Sequence, residues 1–376
     1  MSWTLKAEDL EDLARGATLL GTGGGGDPYI GRMLVEAVLK DGAITVLDPD
    51  DLADDLFVIP TAQMGAPTVM IEKIPAGTEP TLSLRILEKH LGRKAEATMP
   101  IECGGINSMI PLIVAAETGL PVVDADGMGR AFPELSMETF AVYGVHGSPL
   151  AIAGERGEEV IINTGEDDRQ MEWLARAVAI RLGGVAHIAE YAMTGADVRR
   201  TAVPRTLSMA LALGRSIRLA REAKTSPLAA IEQTLKTTLY PHVRELFSGK
   251  VADVERRTTE GFAKGRAVIA PLDDSADSFT IEFQNENLIA RHNGLCVAIV
   301  PDLICVTDME TAEPVTTEGL RYGQRVRVLG ISTPDMMRTP AALEAFGPAA
   351  FGLSEPFVPV EEVCAENRQR TVQTAD

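Results

Sequence analysis

The chain has 376 residues, 45% hydrophobic and 24% charged, with a mean hydropathy of +0.05; this composition suits a globular protein with room for two well-packed domains. Its 35 basic residues against 54 acidic ones give a net charge of −19, and without a basic stripe this excludes a nucleic-acid or anionic-membrane surface. No run of about 18 apolar residues marks a membrane span.

In chain order, Leu10, Leu13, Ala14, Ala17 and Leu20 recur at helical spacing. After a glycine run, residues 27–42 read as a second helix, with Asp27 as its cap and Pro28 in its first turn. Strands are predicted over 43–48, 55–61, 95–102 and 120–126, and helices over 81–93 and 106–119. This alternation predicts an α/β domain with a mainly parallel sheet. Hairpins are expected over 140–165, then helices over 166–184, 203–225 and 226–238. From about 255 onward, short strands and turns predict an antiparallel β module. The boundaries are therefore placed at 1–168 for the α/β domain, 169–360 for a helical section and β-rich C-terminal domain, and 361–376 for a tail.

Cys103, Cys296, Cys305 and Cys364 show no C-x-x-C spacing, which argues against a structural zinc site or a thioredoxin motif. The first residues lack the basic-then-apolar run of a signal peptide. A cytoplasmic location with reduced thiols is the expectation.

The stretch Gly21-Thr22-Gly23-Gly24-Gly25-Gly26-Asp27-Pro28 matches G-x-G-x-x-G through Gly21, Gly23 and Gly26. Asp48 stands 22 residues past Gly26, where a dinucleotide site keeps its ribose-binding acid. Two features oppose this reading. The preceding segment is helical by period, and Asp27 occupies the helix N-terminus that would bind pyrophosphate. No nucleotide cofactor is therefore expected. Two readings remain: a turn that lets helices approach closely, or a loop whose backbone N–H groups from Gly23 to Gly26 bind a small polar or anionic substrate.

Ligands of open α/β sheets bind beyond the carboxyl ends of strands. Three such ends are polar here: Gln63 to Gly65 with Glu72 and Lys73 downstream, Glu102 to Gly105 with Asn107, and Asp124 to Arg130. Strand alternation places Asp124 and Asp126 on one face, about 6–7 Å apart. With Glu102 they form a candidate acid, base or divalent-metal set; His146 is a further base or metal candidate. Taken singly, each acid is also explained as a helix cap or ion-pair partner. Arg130 or Lys73 would pair with a substrate carboxylate. Cys103, beside two glycines, is a candidate thiolate or a buried small hydrophobe. In FQNENL (283–288), alternation places Gln284 and Glu286 on one face, as ladder chemistry or as part of a site across the domain boundary.

Together, LARGATLLGTGGGGDPY, MGAPTVMIEK, PIECGGINS, GLPVVDADGMGRAFPEL, FQNENL and PDLICVTD resemble the DUF917 family, which takes its name from S-methyl thiohydantoin desulfurase. The resemblance is collinear from about residue 7 to 360. It implies an N-terminal α/β domain followed by a β-rich domain. It also implies hydrolysis of a five-membered cyclic amide or thioimidate, since family members stand beside hydantoinase and oxoprolinase-type proteins. In the family pattern the position of Cys103 carries an aliphatic residue, which argues against a shared nucleophile. The expected reaction is water attack at C2 of an S-methyl thiohydantoin, with Asp124, Asp126 and Glu102 as catalytic candidates. Gly23 to Gly26, Asp27, Asn107, Arg130, Glu72 and Lys73 are the candidate substrate contacts. A divalent metal is an open option, and a homo-oligomer acting on a small molecule is expected. The alternatives are an NAD(P)-linked oxidoreductase and a non-catalytic subunit of an oxoprolinase-type enzyme.

Overall fold

A computed structural model describes residues 1–65, 69, 76–259, 262–273 and 275–363. Glu72, Lys73 and Cys364 lie outside the described residues.

The principal helices are α1 (Leu10–Leu20), α2 (Pro28–Leu39), α3 (Glu79–Leu91), α4 (Ile110–Thr118), α5 (Asp168–Arg181), α6 (Thr206–Glu222) and α7 (Pro227–Leu235). Helix α1 buries its stripe of Leu10, Leu13, Ala17 and Leu20 against α6. The two backbones meet at glycines. A Cβ on Gly16 would lie 1.8 Å from the Ala210 carbonyl oxygen, and one on Gly214 would lie 1.7 Å from that of Asp12. Leu13, Leu20, Leu207, Leu213, Leu303 and Ile331 then share one core, which joins the two halves of the chain.

The N-terminal half does not contain the expected mainly parallel sheet. Regular parallel pairing among the described residues is confined to Val46–Leu47 with Val122–Val123, and isolated parallel bridges join Val58 to Ala97 and Thr98 to Val122. The other strand pairs there are antiparallel. Two segments that periodicity did not mark cause the difference. Trp3–Lys6 adds antiparallel to Ala43–Leu47. Val185–Ala189, between two helices, inserts antiparallel between Thr61–Gly65 and Leu150–Ala153. The predicted strand over 95–102 survives only as the two bridges.

The C-terminal half holds one seven-stranded antiparallel sheet. It begins at Val243, earlier than expected, with a long hairpin of Val243–Thr259 and Phe262–Ala270. Its edge strands, Leu295–Ile299 and Leu303–Asp308, are consecutive in sequence. Their short connection makes the sheet curl so that its two edges approach. Within the described residues no helix is long and apolar enough to cross a membrane.

Candidate functional site

Sequence motifs far apart in the chain meet where α1 ends. The glycine run leaves α1 at Gly21 and enters α2 at Asp27, whose side chain caps Tyr29 N–H at 2.9 Å. A helix therefore precedes the run, where a dinucleotide fingerprint requires a strand. Thr22 is buried, and its hydroxyl bonds both the N–H and the carbonyl of Ile304 at 2.9 and 3.0 Å. Asn287 N–H donates to Thr22 O, and Thr317 N–H donates to Gly23 O. The run is thereby stitched to the C-terminal sheet. A Cβ on Gly24 would lie 2.1 Å from Glu286 Oε1, so any larger residue there would displace that carboxyl. Gly105 holds φ +58, and a Cβ there would lie 2.1 Å from Gly25 O. The run thus meets backbone on one side and the Glu286 carboxyl on the other.

FQNENL is not one strand. The chain reverses at Asn285, pairing Gln284 with Glu286. Asn285 is left-handed at φ 57, a conformation Asn tolerates. Its side-chain oxygen accepts from Ala263 N–H at 2.8 Å. The reversal turns Asn285 and Glu286 into a cleft of about 770 Å³, mouth included, between the halves of the chain. Gly25, Gly26, Asp27, Glu102 and Asn107 line the same cleft, as do Gln63, Phe132 and Arg176.

Among the described residues, Glu102 and Glu286 are its two buried acids. Glu102 Oε1 accepts from Asn107 Nδ2 at 2.8 Å, and Asn107 also exchanges hydrogen bonds with the Gln63 backbone. Glu286 Oε1 receives Gly25 N–H at 3.3 Å. The second oxygen of each carboxyl has no hydrogen-bond partner. Burial drives both upward. Glu102 is held well above its ordinary 4.5 by desolvation and then by the charge of Glu286. Glu286 is pushed up to about 8 by desolvation, offset in part by the Arg130 cation.

The other candidates lie elsewhere. The strand breaks at Asp124: Val122–Val123 pairs with one partner, Ala125–Asp126 with another. The alternation that put Asp124 and Asp126 on one face therefore does not hold. Asp124 accepts from Trp3 Nε1 and from Ser208 N–H in the first turn of α6. Asp126 is fully buried and accepts from the N–H groups of Cys103, Met128 and Gly129. Both brace backbone outside the cleft lining. Arg130 is also fully buried. Its guanidinium donates to the carbonyls of Ala131, Pro301, Asp302 and Asn287, so it clamps the two halves together instead of facing a ligand. Cys103 is a buried thiol whose Sγ reaches Thr206 O, and desolvation raises its pKa well above the ordinary value, against a thiolate role. His146 stands in a separate open surface pocket, its Nδ1 2.9 Å from Asp168 Oδ2. Glu102, Asp124, Asp126 and His146 thus do not converge as ligands. Among the described residues no group of three or more His, Cys, Asp and Glu is arranged to hold a metal ion.

Sequence reasoning missed Arg176 and did not carry Glu286 into the site. Arg176 donates to Glu172 and to the Pro133 carbonyl, and it lies over the Phe262 ring at 4.7 Å. An acid flanked by amides, in the stretch Gln284 to Asn287, was the available signal for Glu286.

Asp124→Asn is expected to cost about 1–2 kcal/mol in urea unfolding through the weakened α6 cap, with kcat within about threefold of wild type. An unfolded glutamate titrates near 4.5 and folded Glu286 near 8, so the folded state binds the extra proton between these values. The stability this confers is full below pH 4.5 and is lost as pH rises through 8. Urea unfolding of Glu286→Gln should therefore fall less steeply than wild type from pH 5 to 8.5.

The S-Me-THD-like N-terminal domain model matches residues 8–164, and the S-Me-THD-like C-terminal domain model matches residues 166–360. A search of the curated proteins finds no match. An X-ray structure of a protein from Chromobacterium violaceum is similar at 26% identity with a TM-score of 0.80, over 95% of this chain and 100% of that one. With both domain models matched in order across nearly its whole length, the chain belongs to the S-methyl thiohydantoin desulfurase-like (DUF917) family.

Proposed function

We propose that the chain hydrolyses a five-membered cyclic thioimidate, an S-methyl thiohydantoin, to the hydantoin and methanethiol. The observation that carries this reading is the pair Glu102 and Glu286. These are two buried carboxyl groups from different halves of the chain, lining one cleft and each holding one unpartnered oxygen. Family membership supports this substrate class. Ile30, Met64, Ile101 and Phe132 give the cleft an apolar wall suited to a planar ring and its S-methyl group.

Environment divides the roles. Glu286 feels the Arg130 cation and is the easier of the two to ionise, so it is the base. Glu102 also feels Arg130, but desolvation and the charges of Glu286 and Asp126 hold it well above its ordinary range, so it stays protonated and is the acid. Such separation of two carboxyls is how one site supplies both forms near neutral pH. Water attacks C2 while Glu286 takes its proton, and Glu102 protonates the ring nitrogen. In the tetrahedral intermediate the C–S bond then breaks. The sulfur leaves as methanethiol with the proton held by Glu286, and the remaining hydroxyl returns a proton to Glu102 as the new carbonyl forms. Atoms and protons balance: one water enters and one thiol leaves. Asn107 holds the Glu102 carboxyl, and Arg130 stabilises the ionised Glu286.

The test is turnover of S-methyl thiohydantoin propionate by the purified chain, with thiol detection and mass analysis of the product. Methanethiol and hydantoin in equal amounts support the reading and remove the partner-subunit alternative. No thiol from well-folded protein defeats it. Turnover that requires a nicotinamide cofactor would favour the oxidoreductase.

A further inference from the structure

Among the described residues, most buried acids have at least one donor. Asp126 has three backbone N–H groups, Asp302 has Arg338, Thr333 and Val360, Glu172 has Arg176 and Leu135 N–H, and Glu102 has Asn107. Glu138 and Glu190 differ. Both are 0% exposed, and none of their four carboxyl oxygens has a hydrogen-bond partner.

Glu138 precedes the short helix Thr139–Val142. Glu190 follows the strand Val185–Ala189, and its N–H donates to Pro60 O. Gly127 makes room for the first of them, since a Cβ there would lie 2.2 Å from Glu138 Oε2. The largest charge effects on the pair come from acids. Glu190, Asp126, Glu102 and Asp168 act on Glu138, in that order after desolvation; Glu172 and Asp168 act on Glu190. Asp168 and Glu172 have their own partners, His146 with Gly147 N–H and Arg176 with Leu135 N–H. No arginine, lysine or histidine is hydrogen-bonded to either carboxyl. Two unpaired carboxylates in a dry interior are strongly unfavourable unless a cation or protons neutralise them.

We infer that Glu138 and Glu190 form a binding site for one hard divalent cation, which ties the segment leading into Thr139–Val142 to the end of the strand Val185–Ala189. Two carboxylates balance a charge of +2. Backbone carbonyls and water would complete an oxygen shell of the kind that Mg²⁺, Mn²⁺ and Ca²⁺ accept. Neither glutamate lines the Glu102–Glu286 cleft, and the inference does not depend on the reaction proposed there.

The experiment uses the full chain, stripped with chelator and desalted, then titrated with Mn²⁺, Mg²⁺ and Ca²⁺ separately. Binding is followed by Mn²⁺ relaxivity and by thermal unfolding. Wild type should take up about one Mn²⁺ per chain. Its Tm should rise by roughly 3 °C at a hundredfold excess over Kd. Glu138→Gln/Glu190→Gln should lose both effects, whereas Glu102→Gln should keep them. If the double variant does not fold, each single variant should still weaken Mn²⁺ binding by about tenfold or more. The inference is overturned if wild type shows no saturable binding of any of the three ions. It is also overturned if binding survives in the Glu138 and Glu190 variants. Failure to bind, combined with a Tm that falls with pH in wild type but not in Glu138→Gln, would mean that the pair holds protons instead.

Discussion

Glu286→Gln should lower kcat for thioimidate hydrolysis by about 10²–10⁴-fold, the range expected for removing a general base. Glutamine keeps the shape and can still accept Gly25 N–H, so the fold at the glycine run should survive. What disappears is the proton acceptor. Glu102→Gln should give a loss of similar size through the acid, and the double variant should be little worse than either single one, because the two act as a unit. Stopped-time thiol release measures all three. A Glu286→Gln enzyme with kcat within about threefold of wild type would remove the carboxyl pair from the chemistry.

Arg130→Met should be the most damaging single change to stability, about 3–5 kcal/mol in urea unfolding. Arg130 is fully buried, and its donors serve carbonyls from both halves of the chain: Ala131 on one side and Asn287, Pro301 and Asp302 on the other. Methionine fills part of the volume but satisfies none of these oxygens. The same change removes the cation that favours ionised Glu286. Folded Arg130→Met should therefore need a higher pH to reach full activity. A stability loss below about 1 kcal/mol would show that the clamp is not needed.

Local pattern was legible in the sequence and long-range closure was not. The amphipathic stripe of α1 and the Asp27 cap of α2 stand where periodicity and capping chemistry place them. Glu102 and Asn107 emerge at one cleft, as the turn at Gly104 and Gly105 suggested. Asp124 and Asp126 were misplaced because alternation assumes an unbroken strand, and this one changes partner between Val123 and Ala125. Val185–Ala189 escaped notice because a five-residue strand between two helices carries little periodic signal, yet it sits inside the four-stranded sheet. Glu286 could not be joined to Glu102 from sequence spacing, since only the folded path of the glycine run and the left-handed Asn285 bring the two acids to one cleft. The four consecutive glycines make sense in that light. They are thin enough to lie between the Gly104–Gly105 backbone and the Glu286 carboxyl.

The most direct test of the carboxyl pair is the pH dependence of kcat/KM on S-methyl thiohydantoin propionate. Glu286 must be ionised to act as the base, and burial holds it at about 8. The account predicts that kcat/KM rises with pH through a midpoint near 8 in wild type, and that this limb is absent from the residual activity of Glu286→Gln. A profile that is flat from pH 6 to 9, or an identical limb in the variant, would contradict it.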